Sequence, residues 1–226
     1  MLAKKYWVTR SEAHDIMGGN IINVYHAERE LGQIFADKRK KSWFEFIPFS
    51  EELLRRTRNT HILVPDFGLS IITMRGLRPD NFQPNQYGYF TWSCDEPYLH
   101  ETAIPAWRLI RAKPLFTSKK VRWRHDLESQ LTLISQYRYV PAAREIVNLL
   151  FVAGRYGKCW KNFGHRSIRT ASNGYTIGIY TAPETRINAE GGEYEMDVIN
   201  IRFVHPSADV DYGIASAYKP LPSPQP

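Results

Sequence analysis

At the centre of the chain stands the segment Tyr139-Val140-Pro141-Ala142-Ala143-Arg144-Glu145-Ile146-Val147-Asn148-Leu149-Leu150-Phe151-Val152-Ala153-Gly154, which predicts a helix. Pro141 suits a first helical turn, where its missing N–H has no partner, and Gly154 suits the left-handed position after the last turn. Apolar residues at three-four spacing, widened by their neighbours, form one broad face: Ile146, Val147, Leu149, Leu150, Phe151, Val152 and Ala153. We expect this helix to be buried as core, in preference to lining a cofactor groove.

Most of the positive charge surrounds this helix. Residues 101–170 carry 14 basic and four acidic side chains, a net charge of +10, whereas the whole chain of 226 residues carries +7. Residues 1–60 contribute +3, residues 61–100 contribute −2 and residues 171–226 contribute −4. Such a local excess of cations favours polyanionic partners such as nucleic acid, although it says nothing about the fold.

A second helix is predicted over residues 118–135, because apolar side chains recur there at helical spacing. Basic residues cluster in its N-terminal half, where the helix dipole is also positive. That arrangement disfavours the isolated helix but favours a bound phosphate, and an aromatic ring within it can stack on a base. The predicted nucleic-acid contacts in this helix are Lys119, Lys120, Arg122, Trp123 and Arg124.

Cations alternate with aromatic residues again beyond the central helix. Ammonium and guanidinium groups contact phosphates while neighbouring rings stack on bases, so the pattern is typical of nucleic-acid binding. A solvated strand edge, where positive charge discourages pairing with other edges, explains the pattern equally well. The further predicted contacts are Lys158, Trp160, Lys161, Arg166 and Arg169.

An enzymatic alternative rests on the segment Trp92 to Glu101, the densest group of reactive side chains. Cys94 and His100 are residue types that form a thiolate nucleophile, and with neighbouring carboxylates they also suit part of a metal shell. No second cysteine–histidine group stands at a recognised ligand spacing, so the balance is against an enzyme. We assign no catalytic residue, no metal ligand and no cofactor.

The two cysteines, Cys94 and Cys159, are too few for a disulfide-stabilised secreted scaffold. We therefore expect reduced thiols in a cytoplasmic protein. The N-terminus lacks the apolar run of a signal peptide, and no apolar segment reaches the length of about 18 residues that a membrane helix requires. No membrane partner is predicted.

The predicted fold is α+β, with a helical N-terminal portion and a central helix pair packed on a mainly antiparallel sheet. Thr9-x-x-Glu12 predicts a capping box, and Ser50 predicts the N-cap of a further helix. Strands are predicted at residues 61–65, 107–111 and 194–204, while residues 69–74 suit either a strand or a helix. Asn173-Gly174 between β-prone runs predicts a hairpin.

No internal repeat or clear linker divides the chain. We expect one domain over residues 1–218, with a soft boundary near residues 76–105, where prolines predict a long loop with a short strand at residues 87–92. Residues 219–226 contain four prolines in eight positions and predict an extended, disordered tail.

Short matches over most of the chain resemble a loosely defined set of uncharacterised bacterial proteins. The similar parts are Ser11-Glu12-Ala13 through Gly18, Phe49-Ser50-Glu51-Glu52-Leu53-Leu54, Ala106-Trp107-Arg108-Leu109-Ile110, Ala153-Gly154-Arg155 and Tyr212-Gly213-Ile214-Ala215-Ser216. None of these segments is a catalytic signature. The resemblance implies a single cooperative unit and transfers no site.

Three functions follow as hypotheses. The first is a nucleic-acid-binding or accessory protein that uses the basic, aromatic-interleaved residues 101–170, with DNA or RNA as partner. The second is a structural subunit of a larger assembly, held by a protein partner or as a homo-oligomer. The third is an enzyme with a Cys94/His100 site. Convergence of the basic side chains on one face would favour the first.

Overall fold

The structure is a computed structural model, and it describes residues 7–25, 44–82, 96–113, 115, 134, 137–153, 168–172, 175–203 and 213–221. The α-helices bounded within these residues are α1 (Arg10–Met17), α2 (Glu51–Thr57), α3 (Ile71–Leu77), α4 (Pro97–His100) and α5 (Ala143–Ala153). The strands are β1 (Val8–Thr9), β2 (Phe46–Ile47), β3 (His61–Asp66), β4 (Ala106–Arg111), β5 (Arg138–Tyr139), β6 (Ile168–Ser172), β7 (Tyr175–Ile187), β8 (Glu193–Phe203), β9 (Gly213–Ile214) and β10 (Ala217–Tyr218). The α+β class is confirmed.

The first helices begin where their caps predict. The Thr9 hydroxyl accepts a hydrogen bond from the Glu12 N–H (3.3 Å), and the Glu12 carboxylate accepts one from the Thr9 N–H (2.8 Å). This reciprocal pair is the predicted capping box, and it satisfies two backbone donors at the start of α1. Ser50 caps α2 in the predicted way, because its hydroxyl accepts from the Leu53 N–H (3.2 Å).

The ambiguous residues 69–74 belong to a helix. The hydroxyl of Ser70 accepts a hydrogen bond from the Thr73 N–H (3.2 Å), so Ser70 is the N-cap of α3. In a strand, this N–H would pair with a neighbouring strand. Here the serine side chain satisfies it within the first turn of the helix. The cap therefore decides between the two structures that the apolar pattern allowed.

One four-stranded sheet has the order β3-β4-β10-β5, and all of its neighbouring strands are antiparallel. His61 lies opposite Arg111 at one end of the β3–β4 pair, and Asp66 lies opposite Ala106 at the other. Because successive side chains of a strand point to opposite faces, His61 and Asp66 belong to different faces of this sheet. Each face carries its own group of charged side chains.

The second four-stranded sheet has the order β8-β7-β6-β9. Strands β6 and β7 form the predicted hairpin, with Ser172 opposite Tyr175, although residues 173–174 themselves lie outside the described residues. The pairing of β6 with β9 is parallel, whereas the other pairs are antiparallel. The sheet structure is mainly antiparallel, as predicted, but it is divided between two sheets and a short β1–β2 ribbon.

Helix α5 connects the two larger sheets. It contacts β3 of the first sheet and both β6 and β7 of the second. Residues 143–152 are all buried, which confirms the burial expected from the wide apolar face. Buried side chains of both sheets and of α5 belong to one hydrophobic cluster.

Several other predictions differ from the structure or lie outside it. The predicted loop after residue 76 contains the end of α3, a 3₁₀ turn at Pro79–Asn81 and the short helix α4, which begins at Pro97. The predicted strand at residues 87–92 and nearly all of the predicted helix at residues 118–135 lie outside the described residues. One member of the central helix pair, α5, is therefore described.

The proline-rich tail begins as an ordered chain. The backbone N–H of Lys219 donates to Tyr137 O (3.0 Å), and that of Leu221 donates to Pro48 O (2.9 Å). Residues 219–221, where we expected disorder to begin, thus continue from β10 along the segment that precedes β5 and touch the segment after β2. Residues 222–226 lie outside the described residues.

Candidate functional site

Most of the predicted nucleic-acid contacts lie outside the described residues: Lys119, Lys120, Arg122, Trp123, Arg124, Lys158, Trp160, Lys161 and Arg166. The backbone of Arg169 is described in β6, opposite Gly178 and Ile214, but its side chain is not. The predicted enzymatic pair is also incomplete, because Cys94 lies outside the described residues. His100 ends α4 with an exposed side chain. These assignments therefore remain predictions.

One face of the first sheet carries a buried ion cluster of four side chains, Asp66, Arg108, Arg144 and Glu145. The Arg144 guanidinium donates to both carboxylate oxygens of Asp66, at 2.8 and 2.9 Å. Arg108 Nε lies 3.0 Å from Asp66 Oδ2 and 2.7 Å from Glu145 Oε1. The cluster thereby ties β3, β4 and α5 to one another.

Further hydrogen bonds fix the Glu145 carboxylate. The Tyr139 hydroxyl of β5 donates to Oε1 (3.2 Å), and the backbone N–H of Ala142 donates to Oε2 (3.0 Å). Glu145 is the third residue of α5, so the second bond satisfies a backbone donor at the helix start. The same carboxylate therefore caps the helix and balances a buried cation.

A tight turn after β3 holds Asp66 in place. The Gly68 N–H donates to Asp66 Oδ1 (2.9 Å), and the Gly68 carbonyl accepts from the Ala103 N–H (3.1 Å). Gly68 has φ +72°, and a Cβ there would lie 1.9 Å from the Ala103 carbonyl oxygen. Glycine is therefore required in Asp66-Phe67-Gly68 by the backbone geometry and by the close approach of residue 103.

Burial and neighbouring charge shift the pKa values in this cluster. Burial raises the pKa of Glu145, against the pull of Arg108 and Arg144. Burial, together with Glu145, also raises the pKa of Tyr139 well above its ordinary value. For Arg108, burial acts to lower the pKa, but Glu145, Tyr139 and Asp66 together raise it. Tyr139 accordingly stays a neutral hydrogen-bond donor at physiological pH.

The ion cluster is suited to holding the fold together. Its two guanidinium groups and two carboxylates balance in formal charge, and Asp66 is fully buried. Because the charges balance, the cluster exerts little net electrostatic attraction on a charged ligand. Loss of any one member would leave a buried charge unpaired. We therefore regard the cluster as a structural anchor between the first sheet and α5.

The opposite face of the same sheet carries a cationic patch, made of His61, Arg111, Arg138 and Ser216. His61 lies opposite Arg111, and the Arg111 N–H donates to Ser216 O (2.9 Å), so the three residues form one row across three chain segments. Side chains opposite each other on one face lie about 5 Å apart at Cβ. Arg138 lies opposite Tyr218 in the neighbouring row.

Aromatic contacts join the two rows of the patch. The His61 and Tyr218 rings lie 5.1 Å apart, and the Arg138 guanidinium stands 4.8 Å from the centre of the Tyr218 ring. Arg138 Nη2 also donates to the Tyr218 hydroxyl (2.9 Å). The tyrosine ring thus holds one guanidinium group on the same face as the histidine, through both a cation–π contact and a hydrogen bond.

The patch holds four polar atoms that are buried and lack a hydrogen-bond partner: His61 Nε2, Arg111 Nε, Arg138 Nε and Ser216 Oγ. Among the described residues, only Asn148 Oδ1 shares this condition. Each buried, unpaired polar atom costs about 1–3 kcal/mol, so four of them together are unusual in a packed structure. Donor groups concentrated in this way can bind an acceptor.

The charge of the patch is uncompensated in the described part of the chain. Neither Arg111 nor Arg138 forms an ion pair with a described carboxylate, whereas Arg108, Arg144 and Arg186 each do. Burial, together with the charges of Arg138 and Arg111, lowers the pKa of His61 to about 3. His61 is therefore neutral at physiological pH, and the two guanidinium groups supply the positive charge.

We assign no further site from the pockets, the possible metal ligands or the helices of the described residues. A pocket of about 290 Å³ lies beside α1, with the Arg10 guanidinium 5.8 Å from the centre of the Tyr25 ring. The side chains described here contain no group of three or more His, Cys, Asp or Glu residues placed to hold a metal ion. Among the described helices, none has the length and apolar character needed to cross a membrane.

Sequence reasoning missed both groups on the first sheet, although one signal was present. A helix buried on nearly all sides that contains Arg144, Glu145 and Asn148 must pair these polar groups inside the protein. That rule predicts buried partners but does not identify Asp66 or Arg108. The row of His61, Arg111 and Ser216 depends on strand register across 155 positions of sequence, which no local pattern gives.

Comparison of this chain with protein-family models, with curated proteins and with solved structures gives no match. No activity or binding residue is therefore transferred to it from a relative. The assignment of the cationic patch and of the ion cluster rests on the geometry of the described residues.

Proposed function

We propose that the protein is a nucleic-acid-binding or accessory protein that contacts phosphate groups through the basic part of residues 101–170. One observation carries the proposal. Arg111 and Arg138, both within this segment, lie on the same face of the first sheet as half-buried cations without a carboxylate partner among the described residues. Guanidinium groups left uncompensated in this way are suited to phosphate oxygens.

The surrounding sequence supports the same function. Arg111 and Arg138 flank residues 112–137, which contain the predicted contacts Lys119, Lys120, Arg122, Trp123 and Arg124. A phosphate backbone follows such a series of cations readily, because each contact releases condensed counterions. The Trp123 ring within the series adds stacking without base specificity. A cytoplasmic setting, expected from the two cysteines, belongs to the same proposal.

The test is fluorescence anisotropy with labelled single-stranded and duplex DNA and RNA. Binding should weaken steeply between about 50 and 200 mM salt, since the contacts are to phosphates. A charge-reversal variant at Lys119, Lys120, Arg122 and Arg124 should lose binding and flatten the salt dependence. The matched control reverses an exposed cation outside the segment, Arg56 of α2. Absence of binding at the lower salt concentration would reject the proposal.

A partner-binding subunit is the second candidate, favoured by the β7–β8 hairpin. Ile187 and Tyr194, next to the turn of this hairpin, are 72% and 44% exposed, and Ile104 elsewhere is 81% exposed. Large apolar side chains at a strand end suit contact with another protein. Light scattering at high protein concentration tests the homo-oligomer form: I187T/Y194S should dissociate it, and a monodisperse wild-type monomer would exclude it.

A further inference from the structure

The cationic patch contains neutral polar groups in addition to the guanidinium groups of Arg111 and Arg138. Its row places a histidine ring nitrogen, an arginine Nε and a serine hydroxyl side by side, and all three atoms are buried. A surface that only attracts nucleic acid by charge needs no such buried donors, because long-range attraction acts through exposed cations. The row instead has the composition of a site for one small ligand group.

We propose that the cationic patch binds a single tetrahedral oxyanion, namely one phosphate group. The inference rests on the proposed function, in which that group belongs to a nucleic-acid strand. Arg111 and Arg138 supply the charge, while Ser216 Oγ and His61 Nε2 supply neutral hydrogen bonds. Four polar groups on two neighbouring rows suit the four oxygens of a phosphate better than the two oxygens of a carboxylate.

The position of His61 explains its part in the site. The Thr60 hydroxyl reaches two acceptors, Thr57 O (3.2 Å) and His61 Nδ1 (2.8 Å), and it has one proton to donate. When it donates to Nδ1, the shorter contact, the imidazole carries its proton on Nε2 and presents a donor to the patch. A phosphate at the patch favours this arrangement over donation to Thr57 O, because it receives the Nε2 hydrogen bond. The charged groups that face the ring are Arg111 and Arg138, and Tyr218 packs against it. A bound dianion offsets these two cations.

Titration calorimetry with sodium phosphate tests the site, with sodium chloride keeping the ionic strength constant. We expect one phosphate ion per chain. Arg111→Gln and Arg138→Gln should each weaken binding by about tenfold or more, because each removes a charged hydrogen-bond donor. Arg56→Gln removes an exposed cation from α2 and should bind phosphate as the wild type does. Heats equal to those of chloride, or binding that both patch variants retain, would overturn the proposal.

A second measurement uses the wild-type protein and does not depend on folded variants. In ¹⁵N-histidine spectra, phosphate should shift the ring Nε2 signal of His61, which is identified by its loss in His61→Gln. The arginine Nε–H signals of Arg111 and Arg138 should shift at the same phosphate concentrations. Unchanged His61 and arginine signals at saturating phosphate would mean that the buried atoms bind water only, and the site would be rejected.

Binding measurements with oligonucleotides distinguish failure of the phosphate site from failure of the proposed function on which it rests. Phosphate binding at the patch without nucleic-acid binding would keep the site and reject the proposed function. Nucleic-acid binding that R111Q and R138Q leave unchanged, together with no phosphate binding, would reject the site and keep the function. Single strands with and without a 5′-phosphate identify the source of the group, since a terminal phosphate tightens binding only if the patch receives a strand end.

Discussion

At the scale of single residues, Asp66 holds the buried ion cluster together. Its carboxylate is fully buried and receives hydrogen bonds from Arg108, Arg144 and the Gly68 backbone. Asp66→Asn removes the charge that balances two buried guanidinium groups, so we expect a loss of about 3–5 kcal/mol in the free energy of unfolding. Urea unfolding measures this loss.

The matched control makes the same chemical change in an exposed ion pair. Asp80 lies 3.2 Å from Arg186 with its side chain 77% exposed. Asp80→Asn should cost at most about 1 kcal/mol, because solvent screens the pair. Equal losses in the two variants would show that the ion cluster is not the anchor between the first sheet and α5.

Gly68 gives a second test at the residue scale. Gly68→Ala places a Cβ in a backbone conformation with φ +72° and 1.9 Å from the Ala103 carbonyl oxygen. Gly191→Ala is the control, since Gly191 has φ +81° but no heavy atom within 4 Å of the added Cβ. The control should lose about 1–2 kcal/mol of stability from the left-handed backbone alone. Gly68→Ala should lose about 1–3 kcal/mol more from crowding, and equal losses would contradict the close approach.

His61 makes stability depend on pH. Burial lowers its pKa from 6.5 to about 3 in the folded protein. Below pH 6.5 the unfolded chain therefore binds the proton first, and stability falls as the pH decreases toward 3 but is unaffected above 6.5. At pH 5 the loss relative to pH 8 should be about 2 kcal/mol.

The comparison with His61→Gln isolates this effect. The raised pKa of Glu145 acts in the opposite direction, but it is common to both proteins and cancels in their difference. Chemical unfolding at several pH values should show that the difference between wild type and variant changes between pH 8 and pH 5. A difference independent of pH would mean that His61 titrates normally in the folded protein.

At the scale of elements, what could be predicted depended on local signals. Thr9 with Glu12, and Ser50, fixed the starts of two helices, because a cap acts on its own first turn. Asn173-Gly174 predicted the β6–β7 hairpin for the same reason. The burial of α5 followed from its apolar arc. For residues 69–74 the apolar pattern left strand and helix equally open, and the Ser70 cap is the local signal that agrees with the helix.

Pairing between distant elements could not be predicted in this way. Asp66 meets Arg144 across 78 positions, and His61 joins Arg111 and Ser216 only through strand order β3-β4-β10. A short apolar strand does not specify its neighbour, and a register shift of one residue would send the same side chains to the other face. The candidate sites on the first sheet therefore depend on the fold, whereas the basic residues were evident from composition.

At the scale of the molecule, Phe82 links the two sheets. Its backbone bridges to Ile199 of β8, and its ring lies 6.4 Å from that of Phe151 on α5, which contacts β3. The side chain is 1% exposed. If residues 1–218 form the single cooperative domain that we predict, a destabilising substitution at Phe82 should lower the stability of both sheets together.

Phe82→Ala tests this cooperativity. We expect a loss of about 3–5 kcal/mol in the free energy of unfolding, because a large buried ring is removed from the core. Phe46→Ala, at a residue that is 48% exposed, should cost much less. Protection of β3–β4 and β7–β8 amides from hydrogen exchange should fall in step in the Phe82 variant. Loss of protection in β7–β8 alone would show that the two sheets unfold separately. The cationic patch and the ion cluster would then both belong to the unit that contains the first sheet.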